Sequence, residues 1–81
     1  MKTILITGGS RGIGKCVVNQ AILSNYKVIF TYNKNKKLAT ELCKKYKDKC
    51  VAVKVDLGLE GDRKKLFQFI EKNKITIDCL V

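Results

Sequence analysis

Histidine and proline are both absent from the 81-residue chain, and acidic residues are scarce. Without histidine, and with four cysteines that form no C-x-x-C pair, the sequence offers no zinc site. The absence of proline agrees with strands that must all donate backbone hydrogen bonds. No apolar run approaches the roughly 20 residues of a membrane span, and the amino terminus lacks the pattern of a signal peptide. We therefore expect a cytoplasmic protein with free thiols and no membrane partner.

Basic residues dominate the charge, since seventeen lysines and arginines stand against seven aspartates and glutamates, for a net charge of +10. This balance favours anionic partners, which include nucleotides, nucleic acids and membrane surfaces. The lysines are spread along the chain, which is typical of solvated helix faces. A nucleic-acid partner would require a clustered basic face with aromatic platforms, for which only Tyr32 and Tyr46 are candidates. We therefore do not expect nucleic acid as the ligand.

Strand-like and helix-like segments alternate along the whole chain. Apolar and β-branched runs predict strands over residues 3–7, 27–32, 50–55 and 75–81. Apolar residues at three- and four-residue steps predict helices over 13–24, 38–46 and around 66–70. This β-α-β-α-β-α-β order predicts an α/β fold, in which helices cover both faces of a parallel sheet. We expect the amino-terminal half of a Rossmann-type, doubly wound sheet, with residues 1–81 as one partial NAD(P)-binding domain truncated in the fourth strand.

The stretch ITGGSRGIGK, residues 6–15, places three glycines between the first strand and the first helix. In a parallel sheet this loop lies at the carboxyl edge, and the following helix directs free N–H groups and its positive dipole end into it. Gly8 would allow the tight turn, Gly12 would let a phosphate touch the backbone, and Gly14 would let helix and strand pack closely. The loop is not a Walker motif, because no serine or threonine follows Lys15. The context therefore predicts a site for nucleotide phosphates.

Four segments resemble the short-chain dehydrogenase/reductase family at matching positions. They are the loop TGGSRGIG, Thr31 near the end of the second strand, VDL at 55–57 and IDCLV at 77–81. The likeness is greatest to the 3-oxoacyl-acyl-carrier-protein reductases, whose loop often reads Ser-Arg-Gly-Ile-Gly. The resemblance implies an NADP(H)-dependent oxidoreductase that reduces a carbonyl group to an alcohol. Its substrate would be a small carbonyl compound or an acyl thioester, and its full-length form would be a homodimer or homotetramer.

The resemblance also implies which residues form the cofactor site. These are Thr7, Gly8, Ser10, Arg11, Gly12, Ile13, Gly14, Thr31, Asn33, Lys34, Asp56 and Leu57. NAD enzymes of this kind carry a carboxylate at the end of the second strand, where this chain has Thr31. The Arg11 guanidinium suits a 2′-phosphate, so with Asn33 and Lys34 at the same edge the pattern favours NADP(H). Asp56 would accept a hydrogen bond from adenine, and its alternative role is that of a turn-forming residue at a strand end.

No catalytic residue is expected within these 81 residues. The family's catalytic serine and its Tyr-x-x-x-Lys pair lie downstream of the strand that IDCLV resembles. Tyr32 and Lys36 match the string, but they follow the second strand, at the adenosine end of the cofactor. The chain is therefore interpreted as a fragment that holds the adenosine–pyrophosphate part of the site. The alternative is a non-catalytic nucleotide-binding module with a regulatory or scaffold role, which applies if the chain is a complete product.

Overall fold

The computed structural model describes residues 2–8, 12–56 and 58–81, and in them strands and helices alternate as the sequence predicts. The elements are β1 (Thr3–Ile6), α1 (Gly12–Leu23), β2 (Lys27–Tyr32), α2 (Lys36–Tyr46), a 3-10 turn (Lys47–Lys49), β3 (Cys50–Lys54), α3 (Glu60–Lys72) and β4 (Cys79–Leu80). Observed ends differ from predicted ends by at most one residue in the first three strands. The predicted β-α-β-α-β-α-β order is confirmed.

The four strands form one parallel sheet in the order β3-β2-β1-β4. In the register, Ile6 of β1 lies beside Phe30 of β2, and Tyr32 lies beside Lys54 of β3. The first two crossovers step one way along the sheet and the third returns past β1. Because such crossovers are right-handed, α1 and α2 cover one face and α3 covers the other. The predicted half of a doubly wound sheet is thus confirmed.

The main core lies between the sheet and the pair α1 and α2. Its buried side chains are Ile4, Ile6, Val18, Ala21, Ile22, Val28, Phe30, Ala39, Leu42 and Cys50. Strand β2 runs through the middle of the sheet and is buried on both faces, since Ile29 points away from this cluster and is as inaccessible as Phe30. Burial of a side chain as large as Phe30 stabilises the fold by about 1.5–3 kcal/mol. This rigid central strand determines where the neighbouring loops emerge.

Local backbone signals set the ends of the first two helices. Asn35 caps α2, because its side-chain oxygen accepts a hydrogen bond from the Leu38 N–H at 3.3 Å. Helix α1 ends at Leu23; Asn25, two residues further on, has a φ of 68°, and the Tyr26 N–H donates to the Ala21 carbonyl at 3.0 Å. Asparagine is one of the few residues that adopt this left-handed conformation readily. The chain therefore turns directly from α1 into β2.

The fourth strand is much shorter than the sequence predicts. Only Cys79 and Leu80 pair with β1, whereas residues 75–78 are not strand. At the start of the pairing, the Thr3 N–H donates to the Asp78 carboxylate at 2.8 Å. A side-chain oxygen is thus the acceptor where a continuing strand would offer a backbone carbonyl. Leu80 is 68% exposed and Val81 is 53% exposed. The apolar pattern that predicts a buried strand here is present, but no described residue covers it.

The four cysteines are all free, as their spacing predicts. Cys16 and Cys79 are exposed, while Cys50 is buried at the start of β3. Burial raises the pKa of the Cys50 thiol from 9.0 to about 12, and the neighbouring Cys43 thiol raises it further in the same direction. Cys50 therefore behaves as a small apolar core residue at neutral pH.

None of the helices in the described part of the chain has the length and apolar character needed to cross a membrane. Within residues 2–8, 12–56 and 58–81, no three histidine, cysteine or acidic side chains come together as metal ligands.

Candidate functional site

The loop that follows β1 begins with a glycine in a conformation that side chains rarely adopt. Gly8 has a φ of 72°, in the left-handed region, so the predicted tight turn is present. A Cβ built on Gly8 would meet no atom within 4 Å. The surface beside Gly8 is therefore open, and a substituent there would be opposed by backbone strain. Ser10 and Arg11, two of the predicted cofactor residues, lie outside the described residues.

The first two residues of this loop are fixed to the strands on either side of β1. The Thr7 N–H and the Thr7 hydroxyl both donate to the Val81 carbonyl, at 3.1 and 3.2 Å. The Gly8 N–H donates to the Thr31 hydroxyl oxygen at 3.1 Å. The resemblance implies Thr7 as a residue of the cofactor site, and in the structure its hydroxyl bonds to backbone. The loop therefore leaves the sheet from a fixed starting point.

Helix α1 begins at Gly12, at the same edge of the sheet. Its first turn carries no acidic residue, so nothing on the helix itself neutralises the positive end of its dipole. This arrangement suits an anion in front of the helix. The side chain of Ile13 lies outside the described residues. Gly14 is half-buried in α1, and its predicted close packing against the sheet stays a prediction.

The end of β2 presents polar and basic groups to the same edge. Thr31 is only 1% exposed, whereas Asn33 and Lys34 are both exposed just beyond the strand. Tyr32 ends β2 and Lys36 begins α2, so the two do not share a helix. This geometry differs from the helical Tyr-x-x-x-Lys pair that the family resemblance implies, and it agrees with leaving both residues out of catalysis.

Asp56 forms the turn between β3 and α3. Its Oδ1 accepts a hydrogen bond from the Gly58 N–H at 2.9 Å, and its carbonyl accepts one from the Leu59 N–H at 2.9 Å. The turn-forming role that the sequence left open is thus present. Whether Asp56 also contacts adenine stays a prediction. Leu57, predicted to contact adenine, lies outside the described residues.

Asp62 is a residue of this edge that the sequence analysis did not single out. From the first turn of α3, its Oδ2 accepts a hydrogen bond from the Asp56 N–H at 2.9 Å. The residue before the helix, Leu59, has no side chain that could cap it. A carboxylate three residues into a helix often reaches back to a preceding N–H. The position of Asp62 in the first turn of α3 was therefore the signal in the sequence, although it would have predicted a hydrogen bond to the Leu59 N–H and not to the Asp56 N–H.

The described candidate residues come together, because the carboxyl ends of parallel strands meet at one edge of a sheet. Thr7 and Gly8 follow β1, Thr31 lies in β2, and Asn33 with Lys34 follows it. Asp56 follows β3 at the far side of the same edge. Along this edge the basic loop therefore lies between the acidic turn and the open glycine turn with its positive helix end, an elongated arrangement that suits a nucleotide.

Comparison with known proteins agrees with this geometry. The family model for short chain dehydrogenases matches residues 2–81. A protein from Bacillus thuringiensis assigned as a 3-oxoacyl-reductase is 26% identical, with a TM-score of 0.90 over 100% of this chain and 35% of its own. RhlG from Pseudomonas aeruginosa, in complex with NADP, is 29% identical, with a TM-score of 0.81 over 98% of this chain and 31% of its own. A 4-hydroxyisoleucine dehydrogenase complexed with NADH is 25% identical, with a TM-score of 0.85 over 99% of this chain and 32% of its own.

The fold and the arrangement of this edge define an α/β protein of the doubly wound class. More particularly, the chain belongs to the short-chain dehydrogenase/reductase family, as the sequence resemblance predicts. It spans about a third of the length of the solved structures it matches. Those structures include both an NADP complex and an NADH complex, so the family alone leaves the choice of cofactor open.

Proposed function

We propose that this chain forms the adenosine–pyrophosphate part of the cofactor site in an NADP(H)-dependent reductase. The observation that carries the proposal is the open, left-handed turn at Gly8, which is followed by α1 with no acidic residue in its first turn. A pyrophosphate there would meet free N–H groups and the positive end of a helix. The loop residues from Thr7 to Gly14 would hold it, while Asp56 and Leu57 would contact the adenine.

The preference for NADP(H) over NAD(H) is supported by charge at the end of β2. From Thr31 to Thr40 the chain carries three lysines and no acidic residue. A 2′-phosphate at this edge would meet the exposed Lys34 and Asn33, and the neighbouring loop adds Arg11. A carboxylate at the same place would instead repel the phosphate and favour a free ribose hydroxyl. The balance therefore favours the phosphorylated cofactor.

Charge reversal tests this preference in the natural-length protein that contains this chain. Combining Arg11→Ala with Lys34→Glu should lower the ratio of kcat/KM for NADPH to that for NADH by about tenfold or more, because a charge-assisted hydrogen bond contributes roughly 1.5–3 kcal/mol and an exposed contact less. Lys72→Glu is the matched control for Lys34→Glu, since it makes the same charge change in the last turn of α3, at the opposite edge of the sheet. Equal constants for NADPH and NADH in the unaltered protein would contradict the preference.

For the reaction, we propose reduction of a carbonyl group to an alcohol, with a 3-oxoacyl thioester as the substrate class. The likeness to the Bacillus thuringiensis protein supports this class. The nicotinamide cofactor supplies the hydride, and the residues of this chain bind and orient its adenosine end. Oxidation of NADPH by the natural-length protein with an acetoacetyl thioester tests the proposal, with a simple ketone as comparison. The four free thiols support a reducing, cytoplasmic setting.

A further inference from the structure

Thr31 occupies an unusual position among the residues that line the candidate site. It is the polar residue that lies deepest in the sheet, with 1% of its surface exposed. Asn33 and Lys34, two and three residues further on, reach the surface. A ribose at this edge would therefore meet Asn33 and Lys34 before it could reach Thr31. The Thr31 hydroxyl instead accepts the Gly8 N–H at 3.1 Å.

This hydrogen bond fixes the residue on which the shape of the loop depends. Gly8 lies beyond the end of β1 and has a φ of 72°. Its N–H points towards β2, where it meets the Thr31 hydroxyl oxygen. The hydrogen bond is partly buried, and one of this kind contributes about 0.5–1.5 kcal/mol, which is up to about tenfold in affinity. The Thr31 hydroxyl thus links the central strand of the sheet to the first residue of the glycine turn.

We propose that Thr31 is a positioning residue for the pyrophosphate loop and makes no contact with the ribose or its 2′-phosphate. It acts through Gly8, by holding that residue in its left-handed turn at the start of the loop that leads to α1. The inference rests on the proposed function, because it assumes that this loop receives the cofactor's pyrophosphate. Thr31 then contributes to the binding affinity for every ligand that contains a pyrophosphate, whatever the ligand's 2′-substituent.

The test compares ligands that carry different parts of the cofactor. Thr31→Val removes the acceptor while keeping the shape of the side chain, and Thr31→Ser keeps the hydroxyl. We expect Thr31→Val to weaken the binding of ADP-ribose and of NADP by the same factor, up to about tenfold for one partly buried hydrogen bond. Adenosine 2′-monophosphate, which lacks the pyrophosphate, should bind as before. Thr31→Ser should restore the affinity. Titrations use the natural-length protein, with amide hydrogen exchange of Gly8 as a second readout.

The control is Thr3→Val, the same substitution at a buried threonine of β1 at the opposite edge of the sheet. It should leave all three affinities unchanged, and Gly8 exchange should accelerate only in Thr31→Val. If Thr31→Val does not fold, Thr31→Ala takes its place, because it also removes the acceptor and a positioning role predicts the same loss for ADP-ribose and NADP with adenosine 2′-monophosphate unaffected. A selective loss of adenosine 2′-monophosphate or a changed NADP to NAD ratio would overturn the inference. Failure of the unaltered protein to bind any of the three ligands would overturn the proposed function and this inference together.

Discussion

Removal of the Asp62 carboxylate should loosen the turn that carries Asp56. In the structure, Asp62 Oδ2 accepts the Asp56 N–H at 2.9 Å. A hydrogen bond to a charged acceptor contributes about 1.5–3 kcal/mol, and a carboxylate in the first turn of a helix adds about 0.3–1 kcal/mol. We therefore expect Asp62→Ala to lower the free energy of local opening at Asp56 by about 2–3 kcal/mol. Asp62→Asn keeps a neutral acceptor and should have an intermediate effect.

Glu60 provides the matched control, because it lies in the same first turn of α3 and carries the same charge. Its side chain is 75% exposed and pairs with Lys64 at 3.6 Å, a surface pair that contributes no more than about 0.5 kcal/mol. Amide hydrogen exchange reads the opening directly. Exchange at Asp56 should accelerate by roughly 30- to 150-fold in Asp62→Ala, and it should barely change in Glu60→Ala. Equal acceleration in both variants would show that helix charge, and not the Asp62–Asp56 hydrogen bond, holds the turn.

Two further outcomes are expected. The 81-residue chain by itself should not oxidise NADPH with an acetoacetyl thioester, because no catalytic residue is expected within it. It should also unfold without a sharp transition, because β4 leaves Leu80 and Val81 exposed and invites aggregation. Turnover above background, or cooperative melting of a monomer, would contradict these expectations. The raised pKa of Cys50 favours the protonated thiol, so its contribution to stability is complete below pH 9 and falls between pH 9 and 12 by about 1.4 kcal/mol per unit. Denaturant unfolding of the natural-length protein at pH 8 and pH 10 should show this loss, and Cys50→Ala should lack it.

Much of the architecture could be predicted from hydrophobic periodicity. Strand β2 is the clearest case, because a continuous apolar run such as Val28 to Phe30 is characteristic of a strand buried on both faces. The position of the candidate site followed from the same order, since the glycine loop comes directly after a strand and before a helix. These features depend on local sequence alone, and a single chain contains that information.

The contacts within the site could not be predicted in the same way. The hydrogen bonds of Thr31 with Gly8 and of Asp62 with Asp56 depend on which way a side chain points after the strands have paired. Nothing in the spacing of these residues along the chain encodes that direction. The predicted length of β4 was wrong for a related reason. Residues 75–81 are apolar enough for a strand, but they pair with β1 only at Cys79 and Leu80.

The contact between Thr3 and Asp78 has a consequence for the order in which the molecule assembles. It joins residues 75 positions apart, with hydrogen bonds from the Thr3 N–H to the Asp78 carboxylate and from the Asp78 N–H to the Thr3 carbonyl. The pairing of β1 with β2 closes a loop about a third as long, so closing the larger one costs about 1 kcal/mol more in chain entropy. Strand β4 should therefore join β1 late in folding. The hydrogen bond of Gly8 with Thr31 forms when β1 pairs with β2, whereas the hydrogen bonds of Thr7 with Val81 form only after β4 has joined β1. The two ends of this contact network around the start of the glycine loop therefore form at different times.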